Sequence, residues 1–333
     1  MTVTPLDTLS FDSDAHAPDE RFGRYRSLYA SGANAVALGD AVSGSVRAWR
    51  LDRAVIFDRR VAGIGHERDE RRVVETGFDH FTLTLLLAGR FEVDAGAGFV
   101  PLQPGSAVLL DMTRPMRNRM WHAHAVTVSI ARDRLAAFAG DVARLHGTVI
   151  GRAQAALLTD FLTALLIRLD TLSGGAARRV TTALLALLGV ALGSDEVDHP
   201  KPAAVTLARR MAQLRELIAA RIGDPAFGPE ELVASSGVSR ATLYRLLAPY
   251  GGVAEYLQAR RLDRVRLALS NPLEQRSFAE IALDSGFKSE SHCSTLFQRR
   301  FRSRPGEYRR QVSFAPDPDD PRLALLAWQQ ELR

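Results

Sequence analysis

The chain holds a single cysteine, Cys293, among its 333 residues. That excludes an internal disulfide framework and fits a reducing cytoplasm. Long apolar runs are missing too. The most apolar stretch, Val180 to Leu192, is too short and too interrupted to span a bilayer. The start of the chain is acidic and polar through Glu20, so no signal peptide is expected. No nucleophile elbow, phosphate loop or zinc-protease helix is present, which leaves catalysis without a motif. What remains is an ordinary globular composition, 46% hydrophobic, long enough for about two or three domains.

Against that background one pattern is written twice. The first copy runs from Glu230 to Leu247 and the second from Phe278 to Phe297. Each has a short apolar helix, then a glycine suited to a left-handed turn (Gly237, Gly286), then a serine placed to cap the next helix (Ser239, Ser289). The second helix of each copy is two-faced. It buries Leu243 and Leu246, or Cys293, Leu296 and Phe297, and leaves a polar face for a DNA groove. The candidate DNA-contacting residues are Ser239, Arg240, Ala241, Thr242, Tyr244 and Arg245 in the first copy. In the second they are Lys288, Ser289, Glu290, Ser291, His292, Thr295, Gln298 and Arg299. Between the copies, Gly252 to Leu269 repeats apolar residues at three- and four-residue steps until Asn271-Pro272. A shared helix would hold the two reading helices about one DNA turn apart, ~34 Å.

Charge agrees with this placement. Residues 201–312 carry 19 Lys+Arg against 11 Asp+Glu, a balance of +8, while the remainder carries 24 against 27, a balance of −3. The positive excess, nearly all arginine, sits where the repeat sits. Arginine suits bidentate contacts to phosphate and guanine.

At these residues the chain resembles the AraC/XylS family of bacterial transcription regulators. The resemblance rests on Ser239 to Leu246, Arg260-Arg261-Leu262, Ile281-Ala282 with Gly286-Phe287, and Phe301 to Arg309. It covers the last third of the chain. One departure is Cys293, where the family usually has a phenylalanine, so the second reading helix has a smaller core residue.

The front half reads as strands. Phe81 to Leu87 alternates and then runs apolar, Ala88-Gly89-Arg90 is expected to turn it into Phe91-Glu92-Val93, and Val100 to Gly105 is a turn before Ala107 to Leu110. His124 to Ile130 is a further strand. Closely spaced short strands suggest a sandwich or small barrel. The run Leu86 to Phe91, with Pro104 to Asp111 and Arg114-Pro115, resembles the cupin-like sensor domain found in front of this DNA-binding unit. That resemblance implies effector binding, dimerisation or both. Gln154 to Leu172 and Arg178 to Leu192 have helical spacing and form a hairpin around Ser173-Gly174-Gly175. In related regulators such helices make the dimer contact; the alternative is that the hairpin only packs on its own barrel. The candidate effector residues are Thr82, Thr84, Trp121, His122 and His124. His122 and His124, two apart, would share a strand face as metal-binding cupins require, but no carboxylate follows at the usual spacing and no metal is expected. Cys293 is expected to be buried and inert. Beyond Arg310 an acidic, proline-rich spacer leads to Leu323, Leu325, Leu326, Trp328 and Leu332, an amphipathic helix expected to dock on the body of the protein.

The expected fold is therefore α+β and multidomain, with an N-terminal cupin-like β-barrel and helical hairpin before an all-α double helix-turn-helix domain. Its parts are an N-terminal segment (1–44), the barrel with its hairpin (45–192), a linker (193–204), the DNA-binding domain (205–312) and a C-terminal extension (313–333). The expected function is a cytoplasmic, sequence-specific transcription regulator without a cofactor and without enzyme activity. Its expected partners are double-stranded DNA, a small organic effector, RNA polymerase and a second copy of itself, with no membrane. The rival readings are a cupin-type metal-dependent enzyme fused to a DNA-binding tail, and a dimeric regulator that needs no ligand.

Overall fold

A computed structural model describes residues 5–30, 32–139, 142–193, 202–271, 274–312 and 321–332. These form two compact units, residues 1–200 together with 324–333, and residues 201–323.

The first unit begins with β1 (Thr8–Asp12), α1 (Pro18–Tyr29), β2 (Asn34–Ala37), β3 (Ser43–Leu51), β4 (Ala54–Ala62), β5 (Ile64–Arg68) and α2 (Glu70–Thr76). It continues with β6 (His80–Asp94), β7 (Val100–Leu102), β8 (Ala107–Asp111), β9 (Met116–Ala131), α3 (Arg132–Ala139), β10 (Thr148–Ile150), α4 (Ala156–Leu166) and α5 (Gly174–Ala191). All strand pairs are antiparallel, in the order β1-β3-β4-β9-β6-β8-β10, with β5 joining β9 to β2 and β7 added to β6. Side chains alternate across the sheet as strand geometry demands. One set, including Ile56, Leu83, Leu85, Val126 and Val128, is covered by Leu135 of α3, Leu158 and Leu162 of α4, and Leu184 and Leu188 of α5. The other set draws Val46, Phe57, Ile64, Phe91, Val108 and Met120 from six strands into one cluster, so the sheet curls around an interior.

Three expectations change here. Ala88-Gly89-Arg90 is no turn: β6 continues through it with register shifts against β9. Gly89 sits at φ +85°, and a Cβ there would lie 2.0 Å from the His122 carbonyl oxygen, so only glycine lets the strands cross at this bulge. Val100–Leu102, expected within a turn, is a short strand on β6. The described strands and helix within residues 1–44 join the sheet domain. β1 pairs with β3, and Tyr25 and Leu28 of α1 are buried in the interior cluster.

The unit is completed from the far end of the chain. Helix α13 (Pro321–Glu331, labelled after the helices below) and the residue that follows it place Leu325, Trp328 and Leu332 in the same interior cluster. Arg53 donates to the carbonyls of Glu331 and Leu332, and Arg50 Nε lies 2.9 Å from the Glu331 carboxylate. The expected linker and the acidic spacer lie largely outside the described residues.

The second unit holds α6 (Pro202–Arg221), α7 (Pro229–Ser235), α8 (Arg240–Leu247), α9 (Val253–Ser270), α10 (Phe278–Asp284), α11 (Glu290–Phe301) and α12 (Pro305–Val312). It has two cores. Leu214, Ile218, Phe227, Leu232, Leu243 and Leu247 pack on Val253, Tyr256 and Leu257, the first half of α9. Ile281, Phe287, Cys293, Phe297 and Phe301 pack on Leu262, Val265 and Leu269, its second half.

Candidate nucleic-acid interface

Each reading helix begins at the serine the sequence marks. Ser239 Oγ accepts from the Thr242 amide at 3.3 Å, and Ser289 Oγ accepts from the His292 amide at 3.3 Å. A side-chain oxygen satisfying a first-turn amide is what fixes a helix start. The preceding helices are fixed likewise. At α10 Ser277 and Glu280 exchange side-chain and backbone bonds, and at α7 the Glu231 carboxylate accepts from the Gly228 amide at 3.0 Å.

These caps set the rotation of each helix. On α8, Leu243, Leu246 and Leu247 turn inward, while Arg240, Ala241, Tyr244 and Arg245 are exposed and Thr242 and Ser239 lie beside them. On α11, Cys293, Phe297 and Phe301 turn inward, while Glu290, Ser291, His292, Thr295, Gln298 and Arg299 are exposed, with Lys288 exposed and Ser289 half-buried at the start. All fourteen residues proposed from sequence fall on the open faces or first turns of these two helices. Arg240 is partly committed: its guanidinium lies 3.0 Å from the Glu230 carboxylate and over the Tyr244 ring at 5.4 Å. A phosphate reaching Arg240 would have to compete with Glu230.

Sequence reasoning missed how the two halves are locked. Besides sharing α9, they meet directly. Arg261 of α9 donates to the carbonyls of Ile222 (3.2 Å), Asp224 (3.0 Å) and Phe227 (2.7 Å). Gly286, in the turn of the second copy, stands at φ +88° with its missing Cβ position 2.2 Å from the Ile222 carbonyl oxygen. Asp263, buried on α9, is flanked by Arg260 at 3.5 Å and Arg300 at 3.7 Å. Burial pushes the Cys293 thiol up to about 12, with the Glu290 charge adding to it.

The front-domain candidates do not converge. Thr84 faces the interior, its hydroxyl 3.2 Å from that of Thr127, and Thr82 is half-buried near Met112. His124 is on the opposite face, its Nε2 2.7 Å from Asp58. His122 is exposed at φ 45° in the bulge opposite Gly89, so the two histidines do not share a regular strand face. Trp121 lies under the Arg90 guanidinium at 4.5 Å. Among the described residues no cluster of three or more His, Cys, Asp or Glu is placed to hold a metal ion. The interior holds instead a polar group the sequence reading passed over: Arg59, with Tyr25, Tyr29, His66, Asn118 and Thr127 around it. The available signal was Val55-x-Phe57-x-Arg59-x-Val61, an arginine in phase with the inward apolar residues of a strand.

Two capped helix-turn-helix units locked on one helix, in a chain that also holds a curled antiparallel sheet domain, define a two-domain DNA-binding transcription regulator. Comparisons with known proteins agree. Residues 232–311 match the Helix-turn-helix domain family, and residues 33–193 match the AraC-binding-like domain family. The chain is a regulator of the AraC type with an AraC-binding-like front domain. It is similar to the transcriptional activator NphR of Rhodococcus sp, at 25% identity over 240 residues, covering 69% of this chain and 70% of that one. It is also similar to the HTH-type transcriptional regulator MtrA of Neisseria gonorrhoeae, at 30% identity over 82 residues, covering 25% of this chain and 27% of that one. The crystal structure of the AraC-like transcriptional activator CuxR shares the fold, with TM-score 0.54 and 20% identity over 77% of this chain and 94% of that chain.

Proposed function

We propose that the regulator binds DNA as a homodimer, reading two successive major-groove segments per chain, and answers to a small organic effector held in the front domain. The observation that carries the DNA reading is the locked pair of open helix faces on α9. Phosphates are held by arginines and by amides at the helix starts, and bases are read by first-turn side chains, Arg240 and Thr242 on α8 and Lys288, Ser291 and His292 on α11. Thr82, Thr84, Trp121, His122 and His124 take no common part in effector binding, since they sit on different faces. The regulator works in the cytoplasm beside RNA polymerase and has no catalytic role of its own. No described helix is long and apolar enough to cross a membrane.

The dimer contact falls on the outer side of the helical hairpin. Leu158, Leu162 and Leu165 of α4 are spent on the barrel, yet Leu157 is 60% exposed and Ile167, just past the helix end, is 77% exposed. Large apolar side chains left open on a helix that already has a buried face suit burial against a second copy.

The test is an operator with its two half-elements moved apart by about half a helical turn, some 5 base pairs. Binding should fall to that of a single half-element, because the second helix then faces away from its groove. Undiminished affinity would mean that only one helix-turn-helix reads DNA.

A further inference from the structure

Among the described residues of the front domain two arginines, Arg59 and Arg68, are buried, and they differ in a way that points to a ligand. Arg68 is saturated. Its Nε and Nη2 donate to the Met112 carbonyl at 3.0 and 2.8 Å, its Nη1 to the Gly32 carbonyl at 2.6 Å, and its Nη2 also to the Thr76 hydroxyl at 2.6 Å. Carbonyl dipoles aimed at every arm of a guanidinium are how a structural arginine is tolerated without water.

Arg59, on β4, has nothing comparable. It is 6% exposed. Its partners are neutral and distant: the Thr127 hydroxyl at 3.3 Å, the Tyr25 hydroxyl at 3.4 Å, His66 Nε2 at 3.3 Å and the Met120 sulfur at 3.8 Å. Among the described residues its Nε has no hydrogen-bond partner, and no carboxylate pairs with it. His66 does not supply one. Burial, and then the Arg59 charge, push its pKa down to about 3, so it is a neutral ring, bonded through Nδ1 to the Asn118 side chain at 2.9 Å. Burial works against the guanidinium's charge, but the neighbouring Tyr29 and Tyr25 hydroxyls hold it protonated. The enclosure is aromatic: Arg59 lies over the Tyr29 ring at 5.2 Å, and the Tyr29 ring is 4.9 Å from Tyr25 and 4.8 Å from His66. Tyr29 is the half-buried member, at the last position of α1.

A buried cation without a counter-charge is costly to hold and is normally paired. The missing partner is an anion, and a guanidinium with an open Nε suits a carboxylate in a cradle of aromatic rings. We infer that Arg59 anchors the carboxylate of a small organic acid in the front-domain interior, with the Tyr29 ring displaced to admit and cover the ligand. This rests on the reading that the front domain binds an effector, and it names the class of that effector. Tyr25 and Tyr29 come from α1, which precedes the segment matched by the AraC-binding-like family, while Arg59, His66, Asn118 and Thr127 lie within it.

The test uses the full-length protein with two single substitutions, Arg59→Met and, as a structural reference, Arg68→Met. Melting temperature is followed with a series of aliphatic and aromatic monocarboxylates from acetate to benzoate and phenylacetate, each beside its neutral amide. Carboxylates should raise the wild-type melting temperature and the amides should not. In Arg59→Met the most effective carboxylate should bind at least about 30-fold more weakly, as expected for removing one partner of a buried charge pair. Without ligand, Arg59→Met should melt no lower than wild type, because it removes an unpaired buried charge, while Arg68→Met should melt far lower. The inference is overturned if Arg59→Met is destabilised as severely as Arg68→Met, if it keeps the carboxylate response, or if no carboxylate in the series stabilises wild type. Stabilisation by an amide alone would overturn the carboxylate assignment and leave effector binding standing.

Discussion

Gly286→Ala tests whether the two reading helices are locked rather than merely joined. The residue stands at φ +88°, where an L-amino acid other than glycine is strained by roughly 1–2 kcal/mol. The added methyl would lie 2.2 Å from the Ile222 carbonyl oxygen and 2.6 Å from Arg261 Nε, so the segment after α6 must retreat. Retreat stretches the 3.2 Å bond from Arg261 to Ile222, and a bond to a charged group is worth about 1.5–3 kcal/mol. The total is on the order of 3 kcal/mol, and at roughly 4 °C per kcal/mol the DNA-binding unit should melt about 10 °C lower. Calorimetry of the full chain reads the first effect. Titration of a two-element and a one-element DNA reads the second: the variant should lose most of the advantage of the two-element site, since its helices no longer hold a fixed spacing. Gly175→Ala, in α5 with nothing within 4 Å of the new methyl, is the control and should leave both unchanged. If Gly286→Ala melts with wild type and keeps the two-element advantage, the contact does not lock the halves.

Three further outcomes follow from the same geometry. Arg240→Ala or Lys288→Ala should weaken operator binding by about 1–3 kcal/mol with relaxed specificity at one position if the side chain reads a base, or flatten the salt slope by about one unit if it holds a phosphate; salt-dependent binding assays separate the two, and unchanged affinity for both variants would refute the placement of the helices. Cys293, buried with its thiol pushed up to about 12, should resist alkylation at neutral pH in the native protein and react at once in denaturant; rapid labelling of the native protein would refute its burial. Burial raises the Asp111 pKa, but hydrogen bonds from Arg132 and Thr113 outweigh it and leave the carboxyl below its ordinary value. Its contribution is therefore present above the unfolded pKa of about 3.9 and lost as pH falls below it, so Asp111→Asn should flatten the acid limb of a stability–pH curve; parallel curves would refute the pairing.

The DNA-binding half was legible because its information is local. A serine three residues ahead of the amide it caps, a glycine at a turn and apolar residues at helical steps are all read within a dozen positions, and the fourteen contact candidates follow from rotation about one axis. The lock between the halves was not legible, since Arg261 and Gly286 meet the Ile222 carbonyl only after two cores have formed. In the front half, strand alternation was readable but its phase was not. Gly89 opposite His122 shifts the register, and that shift decides which of Trp121, His122 and His124 point inward. Arg59 is the reverse case: its phase on β4 is inward, but an arginine on a strand is expected to face solvent, and the aromatic enclosure that buries it comes from distant residues.

The return of α13 to the front domain has a consequence for how the protein is made. Leu325, Trp328 and Leu332 follow the whole DNA-binding unit in the sequence, yet they belong to the interior of the domain that precedes it. During synthesis the double helix-turn-helix emerges with both of its cores complete, while the front domain waits, its interior unfinished, for residues still inside the ribosome. A nonsense codon shortly after Val312 would thus leave every DNA-reading residue in place and strike the interior of the front domain instead.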